Sequence, residues 1–299
     1  MRLFIIGNGF DLDHDLPTSY KSFRCYLSSN YGACEYLPEP NITQLPDGTE
    51  ISDIKTDAQI LYRLIENIES NESWGKFEED LGFINYDELV DLSWNDDDDN
   101  VFHKIYNNED MASSYKLSFS NFSALFSNWI SSIRYNNNIV KNKYRSLFSN
   151  NDLYLTFNYT KILEAVYTIN PSQICHIHGK VGETLIFGHR NDKAILSDNI
   201  MYGNADIVFS AMHKNLYKDV EQCITKNNKF FNGISNVDEI FFIGWSMSSV
   251  DKNYIDLLKE KIGNKNIVIH FTKYAEDNNE IGNYLKKLSG LNYVIGKSI

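Results

Sequence analysis

Five short apolar runs recur along the chain, and each gives way to polar residues or to glycine; they occupy residues 3–6, 153–156, 174–177, 240–243 and 267–271. Continuous apolar runs, unlike alternating ones, indicate strands that are buried on both faces. Helical patterns follow the second and fourth runs, at residues 161–167 and 251–262. This repetition of strand, polar turn and helix predicts a doubly wound, Rossmann-like parallel sheet.

The long segment between the first and second runs has a different pattern. We find no strand pattern in it, and its apolar positions recur with helical spacing at residues 58–69, 74–81 and 119–133. Residues 46–57 predict an irregular polar loop that opens on a Pro-Asp-Gly turn. We therefore expect a large helical insertion at residues 21–149, within a sheet domain formed by residues 1–20 and 150–299.

Composition and charge disfavour several classes of protein, namely nucleic-acid-binding, membrane-spanning and secreted ones. Among 299 residues, 42% are hydrophobic and the formal charge is -12, which disfavours a nucleic-acid partner. No apolar run approaches the roughly 20 residues of a membrane span. The N-terminus lacks the basic segment and cleavage site of a secretory leader, and the four cysteines form no C-x-x-C pair. We expect a cytoplasmic protein with free thiols and no membrane contact, either monomeric or a homo-oligomer.

The turn after the first run is the first candidate for chemistry. Gly7, Asn8 and Gly9 follow the strand, and Asp11 comes two positions later. Glycines let a backbone approach a ligand closely, and a following helix offers free N–H groups to an anion. The third glycine of the dinucleotide fingerprint is missing, and Asp11 would repel a phosphate but could bind a ribose hydroxyl. A tight structural turn explains the two glycines equally well.

Polar side chains also follow the second run. Thr156, Asn158 and Thr160 alternate, so they are expected to point to one side at the carboxyl edge of the sheet. Open α/β proteins bind ligands at that edge. A role for Asn158 as the cap of the next helix is the alternative.

Two histidines end the third run. His176 and His178 share one face of the strand, and Gly179 follows directly. A histidine at a strand end is a candidate general base because its ordinary pKa lies near neutrality. The alternatives are a metal pair completed by His189, and a buried structural histidine.

The fourth run leads into Gly244, Ser246 and, in the first turn of the next helix, Asp251. Such a strand-to-helix turn can hold a phosphate through backbone N–H groups and a hydroxyl. Position 248 is serine where a hydrolase nucleophile elbow requires glycine, which argues against that class. Capping of the helix by Ser248 or Ser249 is the structural alternative.

In this order the segments resemble the bacteriophage abortive infection AbiH family. The likeness rests on the stretches IIGNGFDLDHDLPTSYKSF, WGKFEEDL, TFNYT, HIHG and FIGWSMSSVD. They cover both ends of the chain and only a little of the insertion. The resemblance implies a bacterial protein of phage resistance, with a trigger that the sequence does not identify.

The same landmarks resemble a diverged sirtuin-type NAD site, with its G-x-G turn, T-x-N-x-D motif, His-Gly pair, Phe-Gly pair and Gly-x-Ser turn. Three positions depart from that pattern: Asp15 stands where it prefers glycine, Thr160 replaces an acid, and Asp11 replaces a small hydroxyl residue. The sirtuin zinc module has no counterpart. The matching residues are Gly7 and Gly9, Thr156 and Asn158, His178 and Gly179, Phe187 and Gly188, and Gly244 and Ser246.

This second resemblance implies cleavage of the nicotinamide–ribose bond of NAD⁺, with NAD⁺ as the substrate and no further cofactor or metal. Asn158 would orient the ribose and a water molecule, and His178 would accept a proton. The remaining residues of the expected nucleotide site are Gly7, Asn8, Gly9, Asp11, Thr156, Gly244, Ser246 and Asp251. One alternative is a sensor that binds NAD or ADP-ribose without turnover. The other is a metal-dependent phosphoesterase or nuclease that uses Asp11 and the histidines His14, His176, His178 and His189.

Overall fold

The computed structural model describes residues 1–66, 74–93 and 100–299. Eight strands lie in these ranges: β1 (Arg2–Ile6), β2 (Ile42–Gln44), β3 (Glu50–Ser52), β4 (Leu153–Thr156), β5 (Ile174–His176), β6 (Glu239–Ile243), β7 (Asn266–Phe271) and β8 (Asn292–Ile295).

Fourteen α-helices lie in the same ranges: α1 (Asn8–Asp13), α2 (Tyr20–Tyr31), α3 (Ile54–Glu66), α4 (Trp74–Asp80), α5 (Val101–Ser120), α6 (Phe122–Ser132), α7 (Asn142–Leu147), α8 (Ile162–Ala165), α9 (Ala205–Asn215), α10 (Val220–Lys226), α11 (Asn228–Gly233), α12 (Lys252–Ile262), α13 (Lys273–Asp277) and α14 (Ile281–Lys287). Short 3₁₀ turns connect several of them.

Six strands form one parallel sheet in the order β5-β4-β1-β6-β7-β8. Counted along the chain within this sheet, the order is 3-2-1-4-5-6, the arrangement of a dinucleotide-binding Rossmann fold. The predicted doubly wound, Rossmann-like fold is therefore confirmed. The chain reverses its direction of winding between β1 and β6, so a crevice is expected outside the carboxyl ends of these two strands.

The central strands are apolar because both faces of the sheet are covered. The four positions of the first predicted run, residues 3–6, are at most 1% exposed. On one face an aromatic stack crosses four strands: Tyr154 lies on Phe4 (5.1 Å between ring centroids), Phe4 on Phe241 (4.7 Å) and Phe241 on His270 (4.2 Å). Such pairs contribute beyond the area they bury, so the stack fixes the alignment of the strands.

Packing divides the chain into two compact units. The first holds the parallel sheet and comprises Met1–Ser19, Ile130–Ile186 and Asp219–Ile299, and the second comprises Tyr20–Trp129 and Phe187–Lys218. These units concern packing alone, and the assignment of nucleotide binding to residues 1–20 and 150–299 stays a prediction. Among the residues described, no helix combines the length and apolar character that a membrane span needs.

A buried ion pair lies inside the second unit. Nζ of Lys218 donates to both carboxylate oxygens of Glu78, each at 2.9 Å, and Lys218 is only 1% exposed. Glu78 lies on α4, within the helical pattern expected at residues 74–81. On the surface of the same helix, Lys76 pairs with Asp80 at 2.6 Å.

The second unit also corrects the expectation that residues 21–149 lack strands. β2 and β3 form an antiparallel hairpin around the predicted Pro-Asp-Gly turn. Residues 46–57 are therefore a hairpin turn, a strand and the start of α3, and not an irregular loop. The expected helix at residues 58–69 is α3, which begins at Ile54; residues 67–69 lie outside the described residues.

Candidate functional site

The two glycine turns lie against each other at the reversal point of the sheet. The N–H of Gly7 donates to the carbonyl of Ile243 and the N–H of Gly9 to that of Gly244, both at 2.9 Å. A Cβ on Gly7 would lie 2.5 Å from Cα of Trp245, and one on Gly9 would lie 2.7 Å from Cα of Gly244. The packing of one turn on the other thus accounts for these glycines without a ligand.

A buried polar cluster lies beside these turns, at the carboxyl ends of β1 and β4. Asp11, on α1 after β1, is 1% exposed, and its carboxylate accepts hydrogen bonds from Nδ2 of Asn158 and Oγ1 of Thr160, both at 2.8 Å. The N–H of Asn158 donates to Oγ1 of Thr156 (3.1 Å), which fixes the turn after β4. The structure thus brings Asp11 together with three polar residues that lie 145 to 149 positions later in the sequence, Thr156, Asn158 and Thr160.

The environment of Asp11 changes its acidity. Burial raises the pKa of Asp11 from 3.8 to about 7, although the hydrogen bonds from Thr160 and Asn158 oppose the rise. A carboxyl group with a pKa near neutrality can accept or donate a proton at the pH of a cell. From the sequence, Asp11 was expected to contact ribose or, in the metal-dependent alternative, to serve the metal site; its burial could not be predicted from the residue type.

His176 supports the cluster from β5. Its Nδ1 lies 3.2 Å from the main-chain oxygen of Asn158, and its Nε2 lies 3.1 Å from Oε1 of Glu164. Burial alone would raise the pKa of Glu164, but the hydrogen bond and charge of His176 outweigh burial and lower it. Glu164 lies on α8, directly after the TFNYT segment, and was not identified from the sequence.

His178, the predicted proton acceptor, lies among aromatic rings. Its Nε2 is 3.0 Å from the hydroxyl of Tyr254 on α12, and its ring is edge-on to Phe157. Phe157 stacks on Trp245 at 4.6 Å between centroids. Because Phe157 and Asn158 are consecutive after a strand, their side chains leave the turn in different directions. His178 therefore belongs to an aromatic group, and Asn158 to the polar cluster.

The turn after the fourth apolar run is held by hydrogen bonds among its own residues. Oδ2 of Asp251 accepts hydrogen bonds from Nε1 of Trp245 (3.0 Å) and Oγ of Ser248 (3.2 Å). Gly244 has φ of +61°, a conformation that favours glycine. Ser246 is exposed, and its hydroxyl lies outside the polar cluster. Asp251 thus secures the turn that packs against Gly7.

The residues of the metal-dependent alternative contact different parts of the protein and do not converge on one point. Among residues 1–66, 74–93 and 100–299, no three His, Cys, Asp or Glu side chains form a group that could hold a metal ion. His14 contacts the carbonyl of Phe10, and His189, in the second unit, contacts the carbonyl of His213 at 3.1 Å. These contacts give the metal-dependent alternative no support.

Fold and site together define a Rossmann-like α/β protein with a buried acid–amide–hydroxyl cluster at the carboxyl edge of its sheet. The sequence profile of the family described as bacteriophage abortive infection AbiH matches residues 3–273. The chain therefore belongs to the AbiH family, and its role is in phage abortive infection. No curated protein and no solved structure matches it.

Proposed function

We propose that the protein hydrolyses NAD⁺ to nicotinamide and ADP-ribose during abortive infection. One observation carries the proposal: the cluster of Asp11, Asn158 and Thr160 lies at the carboxyl edge of a sheet with the 3-2-1-4-5-6 order. Ligands of such sheets bind outside the carboxyl ends of the strands, near the point where the winding reverses. The cluster would meet the ribose that carries nicotinamide.

The chemistry is the cleavage of an N-glycosidic bond. The bond between C1′ and the nicotinamide nitrogen breaks, and its electron pair leaves with nicotinamide. Positive charge develops on the ribose as in an oxocarbenium ion. A water molecule then adds to C1′ and gives up one proton. Asp11 accepts this proton, since a carboxylate whose pKa is about 7 is suited to the task at neutral pH.

The other residues take supporting roles in this proposal. Asn158 orients the ribose and the water through its amide, and Thr156 holds Asn158 in place. Gly7, Asn8 and Gly9, together with Gly244 and Ser246, form the edge along which the diphosphate lies. Asp251 keeps that edge in shape through Trp245. His178 is the second candidate for proton transfer, paired with Tyr254.

A second candidate function is the binding of NAD or ADP-ribose without turnover. The observation in its favour is that both donors of the cluster already occupy the carboxylate of Asp11, which is 1% exposed. The oxygens of such a carboxyl group can accept further hydrogen bonds, but a group this buried must be uncovered before it can reach water. A sensor needs no such step.

The test is to incubate the purified protein with NAD⁺ and separate free nicotinamide and ADP-ribose by chromatography. Asp11→Asn is expected to lower the rate by about 10²- to 10⁴-fold, the usual contribution of a general base. Asp13→Asn is the matched control, because Asp13 lies on the same helix but pairs with Lys143 at the surface. It should retain most of the activity.

Each outcome assigns the function. Nicotinamide release that Asp11→Asn and Asn158→Ala abolish supports the hydrolase. Binding of NAD⁺ measured by calorimetry, with no nicotinamide released, supports the sensor. Neither release nor binding of NAD⁺ or ADP-ribose refutes both. A chelator added to a parallel sample is expected to leave the release unchanged.

A further inference from the structure

The two edges of the parallel sheet differ in exposure. At one edge, the residues of β5 are buried or half-buried. At the other edge, β8 leaves Val294 66% exposed and Ile295 48% exposed. Among the described residues, no strand pairs with the outer side of β8. Natural edge strands are commonly protected by a charge, a proline or a bulge, and β8 contains neither charge nor proline.

The backbone of β8 offers hydrogen-bonding groups on its outer side. The N–H of Gly296 donates to the carbonyl of Ile269 on β7 at 2.8 Å. Successive residues of a strand direct their N–H and C=O groups to opposite sides. Val294 therefore faces β7 with its backbone, and the N–H and C=O groups of Tyr293 and Ile295 point away from the sheet.

The segment of chain that contains β8 is basic, although the whole chain is acidic. Residues 281–299 contain Lys286, Lys287 and Lys297 and no Asp or Glu, although the formal charge of the protein is -12. Lys286 and Lys297 are exposed. Lys297 comes two positions after Ile295, so its charge lies near the strand, and the Debye length at physiological salt is about 8 Å. The edge thus combines apolar side chains, outward backbone groups and a positive surrounding.

We propose that the outer edge of β8 binds an extended, acidic segment of a partner polypeptide, which adds a seventh strand to the sheet. The backbone groups of Tyr293 and Ile295 pair with the segment, as in other cases of strand addition. Val294 and Ile295 contact its apolar side chains, and the lysines favour its acidic ones. A second copy of the same edge would bring lysines against lysines, which disfavours self-pairing.

The probe is a hexapeptide of alternating glutamate and valine, capped at both ends, and its lysine–valine counterpart is the control. Amide exchange of the full-length protein is followed by NMR with and without each peptide. The acidic peptide is expected to slow the exchange of the Tyr293 and Ile295 amides at least tenfold, and the basic peptide to leave it unchanged. Equal effects of both peptides, or none, would overturn the proposal.

Variants separate the edge from the fold. Ile295→Pro removes an N–H that points away from the sheet. The hydrogen bonds of Val294 and Gly296 to β7 are kept, so Tm should change little. The acidic peptide should bind at least tenfold more weakly. The double variant Lys286→Glu, Lys297→Glu changes charge alone and should weaken binding of the acidic peptide to a similar extent. This variant tests the proposal even if the proline variant proves unstable. Unchanged binding in this charge variant contradicts the proposal. Protection that rises with protein concentration without peptide would assign the edge to a second copy.

Discussion

At the scale of single residues, two of the three departures from the sirtuin-like pattern, Asp11 and Thr160, are in contact with each other. Thr160 stands where that pattern has an acid, and Asp11 stands where it has a small hydroxyl residue. In the fold Oγ1 of Thr160 donates to Asp11 at 2.8 Å. The two positions that differ from that pattern are therefore in direct contact, and the pattern itself stays a prediction for this chain.

Asp11 should lower the stability of the protein near neutral pH. Its pKa is about 7 when folded and 3.8 ordinarily, so the folded state binds the proton more tightly. The free energy of unfolding therefore decreases as the pH rises between these values, by up to about 1.4 kcal/mol per pH unit. We expect Asp11→Asn to remove this slope and to raise Tm at pH 8 but not at pH 4. Thermal unfolding measures Tm of both proteins across this pH range. A difference in Tm between them that is the same at every pH would contradict the expectation.

Gly7 should tolerate no side chain. Its Cβ would fall 2.5 Å from the backbone of Trp245, so one turn must move away from the other. Gly7→Ala is expected to lower the free energy of unfolding by about 2–3 kcal/mol, as overpacking does. Gly282→Ala, in open space on α14, is the matched control and should stabilise by up to about 1 kcal/mol. Urea denaturation of both variants measures the difference, and equal midpoints would refute the packing argument.

At the scale of elements, the buried pair between Lys218 and Glu78 should dominate the stability of α4. Lys218→Met leaves a carboxylate buried without its ammonium partner, which typically costs about 3–5 kcal/mol. Lys76→Met removes the surface partner of Asp80 from the same helix and should cost less than about 1 kcal/mol. Chemical denaturation compares the two variants. Similar losses for both would mean that burial of the pair contributes little.

The elements show why part of the fold was accessible from the sequence. All five predicted apolar runs are strands of the sheet, because burial on both faces demands continuous apolar residues. β8 was missed because an exposed edge strand needs no such run. α5 was missed because its buried side includes Asn108, Ala112 and Ser118, so the apolar periodicity is weak. The β2–β3 hairpin is largely exposed and carries little hydrophobic pattern.

The sequence predicted the polar residues after β4 but not their contact with Asp11. The alternation of Thr156, Asn158 and Thr160 placed these side chains at the carboxyl edge from the sequence alone. The contact of Asn158 with Asp11 joins residues 147 positions apart, which no local spacing reveals. The burial that raises the pKa of Asp11 depends on that same long-range contact.

At the scale of the whole molecule, the formal charge of -12 governs which partners can approach. A phosphate backbone is repelled unless lysines and arginines are concentrated on one face. We expect no retardation of duplex DNA by the protein in a gel-shift assay at about 150 mM salt, where the Debye length is about 8 Å. Binding that persists at this salt concentration would require a basic face and would contradict the expectation.

The central position of β1 has a consequence for the order of folding during synthesis. Residues 2–6 leave the ribosome well before residues 153–156 and 239–243, which are their neighbours in the sheet. At about 5–20 residues per second, β1 waits roughly 10–50 s for its second neighbour. Until residues 153–156 emerge this apolar strand has neither neighbour, and from then until residues 239–243 emerge it has only one. Chains stalled before residue 239 are therefore expected to be cut by protease near residues 2–6, where the finished protein resists.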